Sequence, residues 1–211
     1  MRPILEINLS AIAHNYQLCK KTAPNSEIGA VVKANAYGLG SIQISKKLSQ
    51  NGCRTFFTVY YAEALELIEH LPTTSRVIVF HGFEDKIHPQ IIPVINTINA
   101  IPNNTPYWLH IDTGMNRLGI PYQDFKTSYV QKNCLGMMSH FACSDEPDHP
   151  FTAEQNTRFQ DLSTKTPSIK KSLSASSGLL EIQNFIMIWL AQVYVCMVAI
   201  PRLREKIQCS Q

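Results

Sequence analysis

Lys33 stands at the end of an apolar run, in the stretch VVKANAYGLG that covers residues 31–40. An ammonium group at the buried end of a strand is unfavourable unless it is paired, deprotonated or covalently used. A lysine in such a place can lose its proton and attack a carbonyl carbon to form an imine. Pyridoxal phosphate (PLP) is the aldehyde cofactor most commonly bound in this way. Position alone, however, more often means a lysine whose stem follows the apolar surface while its charge reaches water.

Three further polar residues follow apolar runs of the same kind. Asp112 follows WLHI, His140 follows GMMS, and Ser176 lies in the loop after SIKKSLSA. In parallel α/β folds the reacting groups lie just beyond the carboxyl ends of the strands. If these runs are strands, Lys33 and the three polar residues would line one mouth and form a site.

The elements that would position these residues alternate along the chain. Amphipathic stretches at residues 41–52 and 61–71 repeat apolar residues at i, i+3 and i+4, which predicts helices between apolar strands. This alternation predicts a parallel α/β sheet or barrel and argues against an all-β sandwich, because the helical segments are too long and regular. The predicted strands are EIGAVVKA, RTFFTVY, RVIVFHG, YWLHIDTG and CLGMMSHFA.

Composition limits the class of protein. With 211 residues, 45% of them hydrophobic, the chain can bury a substantial core. A net charge of +3 without a long basic block argues against a nucleic-acid or polyanionic partner. The six cysteines lack CxxC spacing and the N-terminus lacks the apolar core of a signal peptide, so we expect a reduced, cytoplasmic protein.

Five blocks of the sequence, in order, carry a resemblance to a known family. AVVKANAYGLG resembles the PLP-attachment signature of alanine racemases, and HIDTGMNRLGI, MSHFACSDEP and SLSASSG resemble three later blocks of that family. The opening LEINLSAIAHNY is similar to its N-terminal segment. The resemblance covers residues 1–180 and implies an incomplete TIM-type barrel that binds PLP. The implied reaction is the interconversion of L- and D-alanine, which supplies D-alanine for peptidoglycan.

The resemblance implies a role for each matching residue. Lys33 would bind PLP covalently and act as the base on one face of Cα. Tyr37 and Ser176 would help to hold the cofactor phosphate, and His140 would lie beside the pyridine ring. Arg117 would contact the substrate carboxylate, for which a guanidinium is better suited than an ammonium. Taken singly, Arg117 and His140 would more often be a solvated turn residue and a core histidine.

Three positions depart from the family pattern. Leu39 and Ala175 replace a usual histidine and a usual asparagine. His110 stands where many relatives have a lysine, carbamylated in some, near the arginine; a histidine there can still form hydrogen bonds. The acidic cluster from Cys143 to His149 fits no common zinc or calcium spacing, so we expect a solvated loop and no metal site.

The family pattern ends after about Leu180, and residues 181–211 form a divergent tail. A barrel of this type alone takes about 250 residues. The family adds a β-rich second domain, whose tyrosine reaches the site from the partner subunit of a homodimer and acts as the base on the opposite face. Because this chain shows no such domain, we expect a truncated, inactive product whose open barrel is poorly stable.

The tail has three interpretations. Its apolar run, FIMIWLAQVYVCMVAI, is shorter than the ~20 residues that a transmembrane helix needs. It could be a terminal membrane anchor, which we do not expect, or a buried barrel strand or helix. The third interpretation is a shifted reading frame after about codon 180. The genetic code permits the string HYDLVSPGVCLYG in that frame, which resembles the next block of the family.

Other functions stay open beside the racemase. One is a single-domain PLP-binding barrel that serves cofactor homeostasis without turnover, although the lysine block of such proteins does not read KANAYG. Others are a racemase of another amino acid, a decarboxylase of the same fold, and a membrane-tethered fragment. The block that contains Arg117 favours alanine racemase over the alternatives that bind PLP.

Overall fold

A computed structural model describes residues 4–81, 87–144, 146, 148–173 and 193–196. Every strand pairing in it is parallel. The strands are β1 (Ile28–Val31), β2 (Thr55–Thr58), β3 (Arg76–Val79), β4 (Ile91–Ile95), β5 (Tyr107–Asp112), β6 (Ile120–Pro121), β7 (Cys134–Met138), β8 (Lys170–Ser172) and β9 (Val193–Cys196). They form one sheet in the order β8-β7-β5-β4-β3-β2-β1-β9, and β6 pairs with β5 beside this path.

Helices flank this sheet. They are α1 (Leu9–Thr22), α3 (Ser41–Gln50), α4 (Tyr61–Ile68) and α5 (Pro150–Lys165), and the short segment labelled α2 (Lys33–Tyr37) is a turn with positive φ angles rather than an α-helix. Helix α1 begins where the Asn8 side chain accepts hydrogen bonds from the backbone N–H groups of Ser10 and Ala11, both at 3.0 Å. A side-chain cap of this kind satisfies donors that have no partner inside the helix.

Alternate residues of the strands face two different cores, as the period of two of a strand requires. One core fills the concave side of the sheet and takes a buried side chain from each of six strands; it consists of Val31, Phe57, Ile78, Ile92, Val94, Trp108 and Met138. The residues between them, such as Ala30, Phe56 and Val77, pack against the helices. The prediction of a partial TIM-type barrel is therefore confirmed.

Two glycines make room for aromatic rings in the concave core. A Cβ atom added at Gly136 would lie 2.7 Å from the Trp108 ring, and one added at Gly29 would lie 2.5 Å from the Phe57 ring. These distances are too short for real contacts, so the large rings occupy space that the glycines leave on neighbouring strands. The curled sheet is thus filled by side chains.

A strand lies within the apolar tail. Val193–Cys196 pairs in parallel with β1, with Ile28 opposite Val193, so β1 is not an edge strand of the described sheet. A barrel strand is one of the three interpretations of this run; its remainder lies outside the described residues, and the frame-shift hypothesis stays a prediction. Among the helices of the described part, none is both long and apolar enough to cross a bilayer.

Candidate functional site

The backbone after Lys33 forms a left-handed turn. The φ angles of Ala34, Asn35, Ala36 and Tyr37 are 50°, 52°, 53° and 56°. For residues other than glycine this conformation costs roughly 1–2 kcal/mol each. A strained segment of this kind persists only where its surroundings over-determine it, and such segments concentrate at functional sites. The turn is therefore the first structural indication that Lys33 lies in a functional site.

Local hydrogen bonds hold the second half of this turn. The Asn35 side-chain oxygen accepts the backbone N–H of Ser41 at 2.8 Å, which links the turn to the beginning of α3. The backbone N–H groups of Gly38 and Gly40 donate to the carbonyls of Ala34 and Asn35 at 3.0 and 2.9 Å. Gly38 and Gly40 have φ angles of 86° and 93°, which glycine adopts without steric cost.

Lys33 and Tyr37 lie together on this turn. The Lys33 Nζ atom lies 5.6 Å from the centroid of the Tyr37 ring, within the range of a cation–π contact. Lys33 is half-buried and Tyr37 is exposed. The turn thus presents an amine and a phenol on the same short segment.

His140 follows β7 and is held neutral by its surroundings. Burial, and then the positive charges of Arg117 and Lys33, lower the pKa of His140 to about 4. Arg117 and Lys33 are the two cations whose charges reach His140. At neutral pH the imidazole therefore carries no charge.

Helix α5 fixes the backbone around His140. The Gln155 amide nitrogen donates to the His140 carbonyl at 3.0 Å and to the Thr113 hydroxyl at 3.1 Å. Its amide oxygen accepts the backbone N–H of Ala142 at 2.8 Å. Gln155 is fully buried, and one side chain thus ties the segment after β7 to the end of β5.

His110, on β5, has its ring orientation and tautomer set by Asn96. Its Nδ1 atom lies 2.9 Å from the Asn96 side-chain oxygen, while the Asn96 amide nitrogen donates to the Phe80 carbonyl at 2.8 Å. The Asn96 oxygen must then accept, so the proton of His110 is on Nδ1 and the lone pair is on Nε2. Burial, and then His140 and Arg117, lower the pKa of His110 to about 4, against the opposing charge of Asp112.

The loop that carries Arg117 is shaped by Asp112. The Asp112 carboxylate accepts the backbone N–H groups of Gly114 at 2.9 Å and of Asn116 at 3.1 Å. Gly119 closes the loop with a φ of 111°, and a Cβ atom there would lie 2.8 Å from the backbone nitrogen of Asp112. The carboxylate predicted to line the mouth is thus engaged with loop backbone, and it holds the segment from which exposed Arg117 projects.

Of the five site residues that the sequence predicts, Lys33 and Tyr37 are in contact, and the charges of Lys33 and Arg117 reach His140. Ser176 lies outside the described residues. Sequence reasoning missed Asn96 and Gln155, because neither lies in a recognisable block. Across the residues that the structure describes, no group of three or more His, Cys, Asp or Glu side chains could hold a metal ion.

The arrangement suits an anionic carbonyl compound. The charge of Arg117 lowers the pKa of both His110 and His140, and the charge of Lys33 lowers that of His140. The charge of Asp112 acts in the opposite direction and raises the pKa of His110. An amine that can attack a carbonyl and a guanidinium that can bind a carboxylate therefore both act electrostatically on the neutral imidazole of His140.

The comparisons with known proteins agree on one family. The family model described as "Alanine racemase, N-terminal domain" matches residues 7–190. The alanine racemase of Rickettsia rickettsii is 35% identical and is matched over 86% of this chain and 57% of its own length. The alanine racemase of Rhodospirillum rubrum is 33% identical and is matched over 83% of this chain and 53% of its own length.

Solved structures give the same picture. Alanine racemase from Bartonella henselae with covalently bound pyridoxal phosphate has a TM-score of 0.78 at 30% identity, over 89% of this chain and 58% of that chain. Biosynthetic alanine racemase from Pseudomonas aeruginosa has a TM-score of 0.75 at 31% identity, over 91% and 59%. The chain spans a little more than half the length of these relatives.

Proposed function

Because this chain belongs to the family of alanine racemase N-terminal domains, we propose that it binds PLP through Lys33 and acts on the Cα–H bond of alanine. The observation that carries this proposal is the position of Lys33. The amine opens a strained left-handed turn at the end of β1, with the Tyr37 ring beside it and within the electrostatic range of His140.

The residues present fit the cofactor. PLP is an anionic aldehyde, and the site offers an amine for the aldehyde and an excess of positive charge for the anion. A pKa of about 4 keeps His140 uncharged, so it can lie against an aromatic ring without adding a further cation. When bound, PLP withdraws electrons from Cα and makes the Cα–H bond more acidic.

Each side chain would then have its own part. Lys33 would hold the cofactor covalently and, once the amine of alanine had taken its place there, would be the free amine that takes a proton from, or returns one to, one face of Cα. Arg117 binds the alanine carboxylate with its planar pair of N–H donors. Tyr37 would contribute its hydroxyl to the cofactor phosphate, together with Ser176 from outside the described residues, and His140 would lie beside the pyridine ring.

His110 can orient Arg117 without a negatively charged partner. Its Nδ1 proton is engaged by Asn96, which leaves the Nε2 lone pair as a hydrogen-bond acceptor for a guanidinium. Relatives with a carbamylated lysine place a charged acceptor at the same position. We propose that the neutral imidazole of this chain substitutes for it, so that binding of alanine does not depend on carbon dioxide.

This chain covers little more than half of its relatives. For a protein of their full length, the proposal extends to the racemisation of alanine for peptidoglycan and to a homodimeric assembly. The expectation that the chain itself is inactive stays a prediction. A site with Lys33 as its one working base would exchange the α-hydrogen of one enantiomer with solvent and would produce little of the other.

The test is PLP binding followed by exchange. The full chain is mixed with PLP, reduced with borohydride and digested, and we expect the modified residue to be Lys33. Lys33→Ala should lose both the modification and the visible absorbance band, whereas Lys46→Ala, at an exposed lysine on α3, should keep both. Modification spread over surface lysines, or equal in Lys33→Ala, would refute the proposal.

Exchange separates the racemase from a PLP-binding barrel without turnover. Each alanine enantiomer is incubated with the PLP-loaded chain in D2O, and deuterium at Cα is followed by proton NMR. Exchange that needs both Lys33 and Arg117 supports chemistry on alanine. Specific labelling of Lys33 without any exchange would favour a cofactor-binding role.

A further inference from the structure

We propose that Glu63 is a positioning residue for Lys33, because its carboxylate anchors the beginning of the left-handed turn to the beginning of α4. This inference rests on the proposed function, in which the Lys33 amine must be presented in one fixed place. In this proposal Glu63 does not bind the ligand, and it acts on Lys33 only through hydrogen bonds to the backbone.

The geometry involves both carboxylate oxygens. Oε1 of Glu63 accepts the backbone N–H of Ala34 at 2.7 Å, and Ala34 directly follows Lys33. Oε2 accepts the N–H groups of Val59 and Tyr60 at 2.8 and 3.1 Å. Ala34 lies beyond β1, whereas Val59 and Tyr60 lie just beyond β2. One side chain therefore ties together the segments that follow two neighbouring strands.

A helix cap explains only one of these three bonds. Glu63 is the third residue of α4, and its bond from the Tyr60 N–H is the one that a capping box makes to the residue before the helix. A capping box does not require the bond from Oε1 to a residue 29 positions earlier in the chain. That bond is charge-assisted and short, which makes it one of the stronger hydrogen bonds that a backbone amide can form.

The position of this bond complements those made later in the turn. Asn35, Gly38 and Gly40 form the bonds that hold the turn from its middle to its end. The bond from Ala34 to Glu63 holds the first residue after the lysine, and it comes from a different strand–helix unit. Four successive residues other than glycine have positive φ, so the strained conformation needs support at both ends.

Glu63→Gln is the informative variant. A glutamine has one acceptor oxygen instead of two, and its amide group would face N–H donors. Either Ala34 or the start of α4 then loses its partner. Glu66→Gln removes the same charge from an exposed position of the same helix and serves as the matched control.

The first measurement needs no cofactor. Hydrogen exchange of the full chain, followed by mass spectrometry, compares residues 33–37 with residues 61–68. In Glu63→Gln we expect exchange in the turn to become about tenfold faster or more, as the loss of a charged hydrogen bond implies. Exchange in α4 should change less, and Glu66→Gln should match the wild type in both segments.

The second measurement is PLP binding. We expect about tenfold weaker binding and slower labelling of Lys33 in Glu63→Gln, with no change in Glu66→Gln. Unchanged exchange in the turn would overturn the inference, and so would a loss of protection confined to α4. If Glu63→Gln does not yield soluble protein, Glu63→Asp is read in the same way, because its shorter side chain cannot span both segments.

The two proposals fail separately. If the wild-type chain does not bind PLP at Lys33, the proposed function is wrong, while the exchange comparison still decides whether Glu63 holds the turn. The other outcome is that the wild type binds PLP, Glu63→Gln binds it equally well, and the turn is equally protected from hydrogen exchange in both. In that case only the proposed role of Glu63 is wrong.

Discussion

At the scale of single residues, the pair formed by Asn96 and His110 defines what the site can offer a ligand. The Asn96 amide forms hydrogen bonds at both ends: its nitrogen donates to the Phe80 carbonyl, and its oxygen accepts from the His110 ring. His110 is 6% exposed, so water does not compete for this bond. A half-buried amide that is held at both ends keeps the imidazole in one tautomer.

We therefore expect Asn96→Ala to release the His110 tautomer. The variant removes the amide that binds the Phe80 carbonyl and the His110 ring, which should cost about 1–3 kcal/mol of stability. The measurement is the nitrogen-15 chemical shift of the two ring nitrogens in labelled protein. In the wild type the proton should be on Nδ1, and in the variant it should redistribute towards Nε2.

Asn103→Ala, at an exposed asparagine, is the control and should leave the ring unchanged. A wild-type spectrum with the proton on Nε2 would contradict the assigned hydrogen bond. Binding of alanine to the PLP-loaded chain should weaken in Asn96→Ala if His110 orients Arg117.

The sequence points to the residues of the candidate site more directly than to the residues that hold them. Lys33, Arg117 and His140 lie in blocks whose letters can be matched directly. Glu63 and Asn96 act on partners that are 29 and 14 positions away, through bonds that exist only once the strands are side by side. No local pattern contains such a bond, because it depends on the order of strands in the sheet.

At the scale of elements, Gly119 sets the path of the loop between β5 and β6 against the end of β5. Gly119 has a φ of 111°, and an added Cβ atom would lie 2.8 Å from the Asp112 backbone nitrogen and 3.0 Å from the His110 carbonyl oxygen. The loop therefore passes directly over the end of β5, which determines where Arg117 emerges.

Gly119→Ala should accordingly displace this loop. Strain at a positive φ costs about 1–3 kcal/mol, and here a clash with backbone adds to it. Gly52→Ala is the matched control, because Gly52 has a φ of 94° but its added Cβ would come no closer than 3.7 Å to another atom. Urea denaturation should show a larger loss of stability for Gly119→Ala. An equal loss in both would mean that the clash is relieved by a small shift.

Two elements show why the fold was only partly predictable. Strand β4 contains Pro93, which lacks an N–H donor and counts against an interior strand, yet β4 pairs with both β3 and β5. Helix α5 buries Thr152, Gln155 and Asn156, so its apolar period is weak. The predicted strands that became β1, β2, β3, β5 and β7 each contain a run of apolar residues and no proline, so they carry no such conflict.

At the scale of the whole molecule, Glu27 joins the two sides of the curled sheet. Both of its carboxylate oxygens lie 2.9 Å from the Arg76 guanidinium on β3, and it also accepts a hydrogen bond from Thr55 on β2. Lys170 at the start of β8 lies 3.3 Å away, although it is 143 positions later in the chain. A single carboxylate thus links strands from both halves of the sheet at their amino ends.

This network lowers the pKa of Glu27. Burial alone would raise the pKa of the carboxyl, but the hydrogen bond from Thr55 and the charge of Arg76 lower it to about 2. His110 and His140 have pKa values lowered to about 4 because burial disfavours their charged form. In all three cases the unfolded chain binds protons more readily than the folded chain, so acid destabilises the fold.

The two kinds of group act in different pH windows. Above pH 6.5 the two neutral histidines contribute fully to the free energy of unfolding, and this contribution is lost as the pH falls towards about 4. Glu27 contributes fully above pH 4.5, and its contribution is lost as the pH falls towards about 2. Urea midpoints measured from pH 8 to pH 2 should therefore decline over both windows in the wild type.

Glu27→Gln should remove one of the two declines. The variant should be less stable than the wild type above pH 4.5, because Arg76 and Lys170 lose their partner, and its midpoint should fall less steeply between pH 4.5 and 2. The decline between pH 6.5 and 4 should remain, since the histidines are untouched. Glu154→Gln, which removes an exposed carboxylate paired with Arg158 on α5, should follow the wild-type curve. If Glu27→Gln also runs parallel to the wild type below pH 4.5, the carboxylate does not link the two sides of the sheet through its charge.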